Sequence, residues 1–238
     1  MTNVDTVQGN SRPPAGGPTD RRDPVPLVID WLIGLLTGVI GLVLTVVGVG
    51  MHTRVDRSLL IEIVAEESVE INGLTQAEFV TAADHFVDWL ALGFVVSGLF
   101  AVVGAAAFVA LRRRTRRRVA REGGTTATLP ACAVYGAVVT GLVSFVPGSA
   151  AVGGGAAAYL RDGDSGLRTG AAAGVVGSVL MLPLVAFLAA GFVAGAGAVD
   201  EFAGGALLAA LVVGAGLLAS IVNAGLGALG GLLVDRFA

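Results

Sequence analysis

Side chains able to do chemistry are few in this chain, and they are unevenly placed. Seven of its 15 arginines fall in one short run: Arg112, Arg113, Arg114, Arg116, Arg117, Arg118 and Arg121, opposed only by Glu122. A guanidinium is always charged, and its planar fork of donors matches phosphate oxygens. Such a run beside an apolar segment keeps that end of the segment in the cytoplasm and attracts anionic lipid headgroups. A juxtamembrane arginine run of this kind is a topology determinant, and no nucleic-acid partner is expected.

The remaining polar groups are scattered. Asp88 and Asn223 are the most costly to place in lipid, so each is expected to need a partner. Asp88 is close enough to the outer interface to be hydrated, whereas Asn223 is mid-span and is expected to hydrogen-bond across helices. Asp30 lies about one turn into the first apolar run. It is expected at headgroup level, where the positive end of the helix favours it. His52, His85 and Asp84 flank the only sizeable polar insertion and are read as interfacial groups, so no metal or cofactor is expected. The apolar C-terminal half has no histidine, which excludes a Ser-His pair or an H-E-x-x-H zinc site there. No G-x-S-x-G, P-loop or dinucleotide fingerprint occurs. Asp162-Gly163-Asp164-Ser165-Gly166 begins like a calcium loop, but Ala173 stands where the closing glutamate belongs. The single Cys132 reads as a small buried apolar residue, with no disulfide to form. No catalytic residue is assigned, and an enzyme is not expected.

The elements that carry these residues follow from composition and pattern. Of 238 residues, 55% are hydrophobic and 14% charged, about half the charge of an ordinary soluble domain. A soluble globular domain, a disordered chain and a nucleic-acid binder are excluded, and the long uncharged runs predict an all-α, polytopic membrane protein. Residues 1–26, rich in Pro, Gly, Asp and Arg, read as a disordered cytoplasmic tail. Residues 27–121 read as a two-helix module. Its first span is Leu27–Met51. The acidic insertion 52–85 follows, with two arginines against seven carboxylates. An amphipathic helix is predicted near 55–68, a turn at Asn72-Gly73, and a capping box at Thr75 and Glu78. That last helix is expected to run unbroken into the second span, Phe86–Leu111, and to leave through the arginine exit, 112–121.

Residues 130–238 read as a glycine-rich membrane domain of about four segments. Pro147 and Gly148 should break the uncharged stretch 130–160 into Ala131–Val146 and a short, re-entrant Ser149–Leu160. A span within 167–198, interrupted at Pro183, and a last one over Ala203–Val234 complete about six membrane-embedded segments. The positive-inside rule then places both termini in the cytoplasm and 52–85 outside. Gly170-xxx-Gly174, Gly191-xxx-Gly195 and Gly227-xxx-Gly231 predict close helix contact within the chain, with homo-oligomerisation as a further use of the same faces.

Phe145-Val146-Pro147-Gly148-Ser149, Gly153-Gly154-Gly155-Ala156-Ala157-Ala158-Tyr159-Leu160 and Gly166-Leu167-Arg168-Thr169-Gly170-Ala171 resemble the pattern of a haloarchaeal family of multi-pass membrane proteins with a glycine-rich domain of unknown function. The resemblance covers about 130–238, and Ala158 departs from a glycine of the pattern. It implies a halophilic membrane, in keeping with an acidic chain whose basic residues are all arginine, and it carries no activity. The function expected is a non-enzymatic structural or interaction role in the cytoplasmic membrane; the alternative is a small transporter or channel component built around the segment after Pro147.

Overall fold

The computed structural model describes residues 25–66, 74–161 and 165–237, all helical or in short connections. Eight helices follow one another among them: α1 (Leu27–Arg54), α2 (Arg57–Glu66), α3 (Gln76–Glu122), α4 (Leu129–Leu142), α5 (Ser149–Arg161), α6 (Gly166–Val179), α7 (Leu182–Gly197) and α8 (Phe202–Phe237). The expected N-terminal tail, the Asn72-Gly73 turn and Asp162-Gly163-Asp164 lie outside the described residues.

Three helices, α1, α3 and α8, are long and apolar enough to cross a membrane. A fourth crossing is reached if α6 and α7 are counted together, although they bend by 42° at their junction. The bend falls at residues 180–181, and Pro183 sits in the first turn of α7, where its missing N–H is no loss. The short helices α4 and α5 are half-length elements: 14 and 13 residues reach about 20 Å. Between them Gly148 adopts φ +85°, a left-handed turn conformation suited to glycine.

α3 is the organising element. Its 47 residues extend about 70 Å, more than twice the hydrocarbon thickness. At its start the Thr75 hydroxyl accepts from the Glu78 amide, while the Glu78 carboxylate accepts from the Thr75 amide at 2.8 Å. This closes the predicted capping box. At the start of α2, Asp56 accepts from the Ser58 hydroxyl (2.7 Å) and the Leu59 amide (2.9 Å). Those two bonds, the Ser58 hydroxyl first, hold the exposed Asp56 carboxyl below the usual carboxylate range.

Small residues set how the helices meet. On α1, Gly34, Gly41 and Gly48 stand seven apart; on α3, Ala91, Gly98 and Ala105 do the same. A Cβ at Gly48 would strike the Ala91 carbonyl, one at Gly41 the Gly98 carbonyl, and one at Gly34 the Val109 side chain. The falling numbers on α3 make the pair antiparallel, and the seven-residue period keeps one seam in contact along its length. A second zipper joins α6 to α8. Added Cβ atoms at Gly166, Gly170 and Gly174 would overlap the carbonyls of Gly231, Gly227 and Asn223 respectively. Gly154 of α5 abuts Gly227 as well, so three helices converge on one residue without a side chain. In α4 and α5, Gly136 faces Gly153, and Cys132 packs with Ala157, which folds the two helices back as an antiparallel hairpin. α7 returns along α3, Gly195 against Ala82 and Gly93 against Phe187, with the Phe86–Phe192 and Trp89–Phe187 rings alongside.

Four hydroxyls within the apolar helices are satisfied locally, whereas Ser97 Oγ on α3 is buried with no hydrogen-bond partner among the described residues. Thr45, Thr140, Ser178 and Ser220 each donate to the carbonyl of a glycine four residues earlier, Gly41, Gly136, Gly174 and Gly216, at 2.8–3.1 Å. A glycine leaves its carbonyl uncovered, and the next turn supplies the hydroxyl.

Gly170→Ala places a methyl group on the Gly227 carbonyl and should lower stability by about 1–3 kcal/mol. Gly225→Ala, at a position with open space around it, should leave stability unchanged or slightly raised. Thermal unfolding in detergent, followed by circular dichroism, measures both.

Candidate functional site

The site is a buried ion cluster at the arginine end of α3. Asp30 is the fourth residue of α1 and is 2% exposed. Its Oδ1 accepts from Arg112 Nε at 3.0 Å and from the Tyr135 hydroxyl; its Oδ2 accepts from Arg116 Nε at 2.9 Å. Arg116 Nη2 also lies 2.7 Å from Oδ2 and donates to the Val25 carbonyl at 2.7 Å. Arg112 Nη1 donates to the Thr126 carbonyl at 2.6 Å. Arg112, 4% exposed, lies with its guanidinium carbon 5.5 Å from the Tyr135 ring centre, and Phe108 meets the same ring edge-on. Around the charges, Val25, Ile33, Ala131 and Tyr135 form a buried apolar wall.

Each partner arrives by a different route. Arg112 stands seven residues after Ala105, on the heptad face of α3 that packs on α1, so the seam carries it inward. Arg116 is one turn further along. Tyr135 comes from α4 and Thr126 from the link between α3 and α4, so one carboxylate gathers four separate stretches of chain. A buried carboxylate with two guanidinium partners and a phenol has its main lone-pair directions filled, and each guanidinium gains a further carbonyl. The arrangement suits holding helices together.

Asp30, expected near the start of α1 where the positive end of the helix favours it, is enclosed there by protein groups. The arginine run divides: Arg112 and, partly, Arg116 turn inward, while Arg113, Arg114, Arg117, Arg118 and Arg121 are exposed. Arg113 stacks over Trp31 at 4.5 Å, and Arg118 lies 3.7 Å from Glu122 one turn on. The reason is geometric: a consecutive run on a helix faces all directions, and only one stripe can meet α1.

The other expected residues lie elsewhere. Asp88 is at the opposite end of the α1–α3 seam, its Oδ1 3.2 Å from His52 Nδ1, both side chains more than half exposed. His85 and Asp84 do not join them, and no group of three or more metal-ligating side chains exists among the described residues. Asn223 lies half-buried on α8 with its carbonyl against Gly174, and among the described residues its side chain makes no hydrogen bond. Pro147 and Gly148 form the turn between α4 and α5. Asp235, near the end of α8, caps α6: its carboxylate accepts from the Gly166 amide at 2.6 Å.

No protein-family model, curated protein or solved structure matches this chain.

Asp30→Asn leaves two inward-facing guanidinium groups without a counter-charge and should cost about 3–5 kcal/mol. Tyr135→Phe removes one hydrogen bond to a charged group and should cost about 1.5–3 kcal/mol. Arg118→Gln, on the exposed side, should stay within about 0.5 kcal/mol of the parent. Denaturant unfolding in micelles ranks the three, and an Asp30→Asn protein as stable as the parent contradicts the cluster.

Proposed function

We propose that this chain is a non-enzymatic structural or interaction protein of the cytoplasmic membrane, with both termini inside and residues 52–85 outside. The observation that carries the reading is the commitment of Asp30: its two oxygens accept from Arg112, Arg116 and Tyr135, all within the chain. The hydroxyls of Thr45, Thr140, Ser178 and Ser220 are likewise engaged with their own helices. Chemistry on a membrane-borne solute usually needs ionisable groups turned toward a cavity.

The orientation draws support from where the charges gather. The antiparallel pairings bring Arg161, Arg168 and Arg236 to the same end as the run 112–121, while Asp200 and Glu201 fall at the end of Thr75 and Ala82. Positive-inside logic makes the arginine end cytoplasmic. In this reading α4 and α5 are embedded half-length elements and α6–α7 form one bent crossing, giving six membrane-embedded segments. The exposed arginines engage anionic headgroups. The resemblance to the haloarchaeal glycine-rich family belongs to the same proposal and adds a halophilic membrane as the setting.

A second reading, a small transporter or channel component, draws on the α4–α5 hairpin. Half-length helices broken at Pro147-Gly148, beside the bent pair α6–α7, are the kind of discontinuous element that lines solute sites. Single cysteines at 147–155 and at 223, on a Cys132→Ser background, separate the two. The structural reading expects no protection-sensitive labelling of position 223 by an impermeant thiol reagent, and no saturable solute uptake by proteoliposomes. Labelling of 223 together with saturable uptake establishes the transporter reading. Reporter fusions at 163 and 200 are expected to report cytoplasm and exterior respectively.

A further inference from the structure

Beside the buried cluster, α1 and α3 part on their outer side and leave an apolar groove of about 520 Å³. Trp31 and Arg113 close one end, Leu42 and Val102 the other, and Gly34 and Gly38 line it between them. It exists because Gly38 faces open space: a Cβ there would touch nothing within 4 Å. Gly34, by contrast, is pressed against Val109, so the helices touch at one glycine and gape at the next.

Two features of the groove name its occupant. The first is length. Residues 31 to 42 on α1 and 113 to 102 on α3 each span about 16 Å of helix, matching the roughly 15 Å of hydrocarbon in one leaflet. The second is charge. Arg113 stands at the arginine end of the groove, exposed, its guanidinium laid over the half-exposed Trp31 ring at 4.5 Å. Stacking uses the face of the guanidinium and leaves N–H donors at its edge available to phosphate oxygens. Tryptophan is itself a residue of the headgroup level.

We infer that this groove is a binding site for one anionic phospholipid, a single hydrocarbon chain lying along Gly34 and Gly38 and the phosphate held by Arg113. The site is more specific than the general attraction of an arginine collar, because chain and headgroup are read by one continuous surface. The inference rests on the proposed engagement of headgroups by the arginine end. Arg114→Gln keeps the two apart, since it removes one collar charge outside the groove lining.

The test is lipid retention by the full-length protein in detergent, read by native mass spectrometry after adding dioleoyl phosphatidylglycerol or dioleoyl phosphatidylcholine. One phosphatidylglycerol should be retained about tenfold more tightly than phosphatidylcholine. Arg113→Gln should abolish that preference, and Gly38→Leu, which fills the groove without altering charge, should lower retention of both lipids about tenfold. Arg114→Gln should retain phosphatidylglycerol as the parent does, and glycerol phosphate should not displace it. Circular dichroism confirms that each variant is folded. Equal retention of the two lipids by the parent overturns the inference. So does equal weakening by Arg113→Gln and Arg114→Gln, undiminished retention by Gly38→Leu, or a dimer of the parent chain that Gly38→Leu dissolves.

Discussion

A carboxylate one turn inside an apolar helix must be neutralised by protein or kept at the water boundary, since the hydrocarbon offers it nothing. Asp30 is neutralised by protein, and much of the arrangement follows from how. Two guanidinium groups from α3 and a phenol from α4 close on one carboxylate. The start of α1, the arginine exit of α3, the link through Thr126 and the start of α4 are thereby held at one end of the molecule. Without Asp30, Arg112 and Arg116 lose their buried counter-charge and the Tyr135 hydroxyl of α4 loses its acceptor. Among the described residues, the opposite end of the same seam carries the exposed His52–Asp88 contact, with Arg57 donating to the Thr81 hydroxyl at 3.2 Å nearby, where water screens the charges and little energy is at stake.

Between those ends the helices attract one another through backbone contact. Lipid chains are as apolar as leucine, so burying leucine between helices gains little over leaving it in lipid. The chain accordingly turns glycine and alanine inward at Gly41, Gly48, Gly98, Gly170 and Gly227 and leaves its large apolar side chains outside, as on α8, where Leu207, Leu218 and Ile221 are all largely exposed. The same glycines serve twice. Gly41, Gly136 and Gly174 allow close approach and also offer a carbonyl to a serine or threonine one turn later. Those hydroxyls read in isolation as misplaced polar groups; in place they complete the backbone hydrogen bonding of their own helices.

What could be read from the residues depended on distance along the chain. The Thr75–Glu78 capping box, the start of α5 at Ser149 and the unbroken passage from insertion to arginine exit are local patterns, and local chemistry decides them. The small-xxx-small faces were legible as faces, but their partners were not, because any glycine stripe fits several others. The site was the least legible part. Asp30 and Arg112 are 82 residues apart and Asp30 and Tyr135 are 105 apart, and seven arginines within ten residues hide which one turns inward. A signal was nevertheless present in the heptad Ala91, Gly98, Ala105, Arg112. The inward stripe of a helix keeps its period, so the arginine that continues a small-residue heptad is the one that meets the facing helix. Asn223 illustrates the converse: a polar residue mid-helix drew attention by type, while its place against Gly174 is set by its backbone.

The central claim is that Asp30 couples the α1–α3 pair to α4 through Tyr135. A double-mutant cycle between Asp30→Asn and Tyr135→Phe, measured by unfolding in micelles, tests it most directly. The account predicts a coupling of about 1 kcal/mol or more, because each exchange removes the partner that the other needs. Effects that add within about 0.3 kcal/mol would contradict it, since residues that do not share an interaction behave in that way.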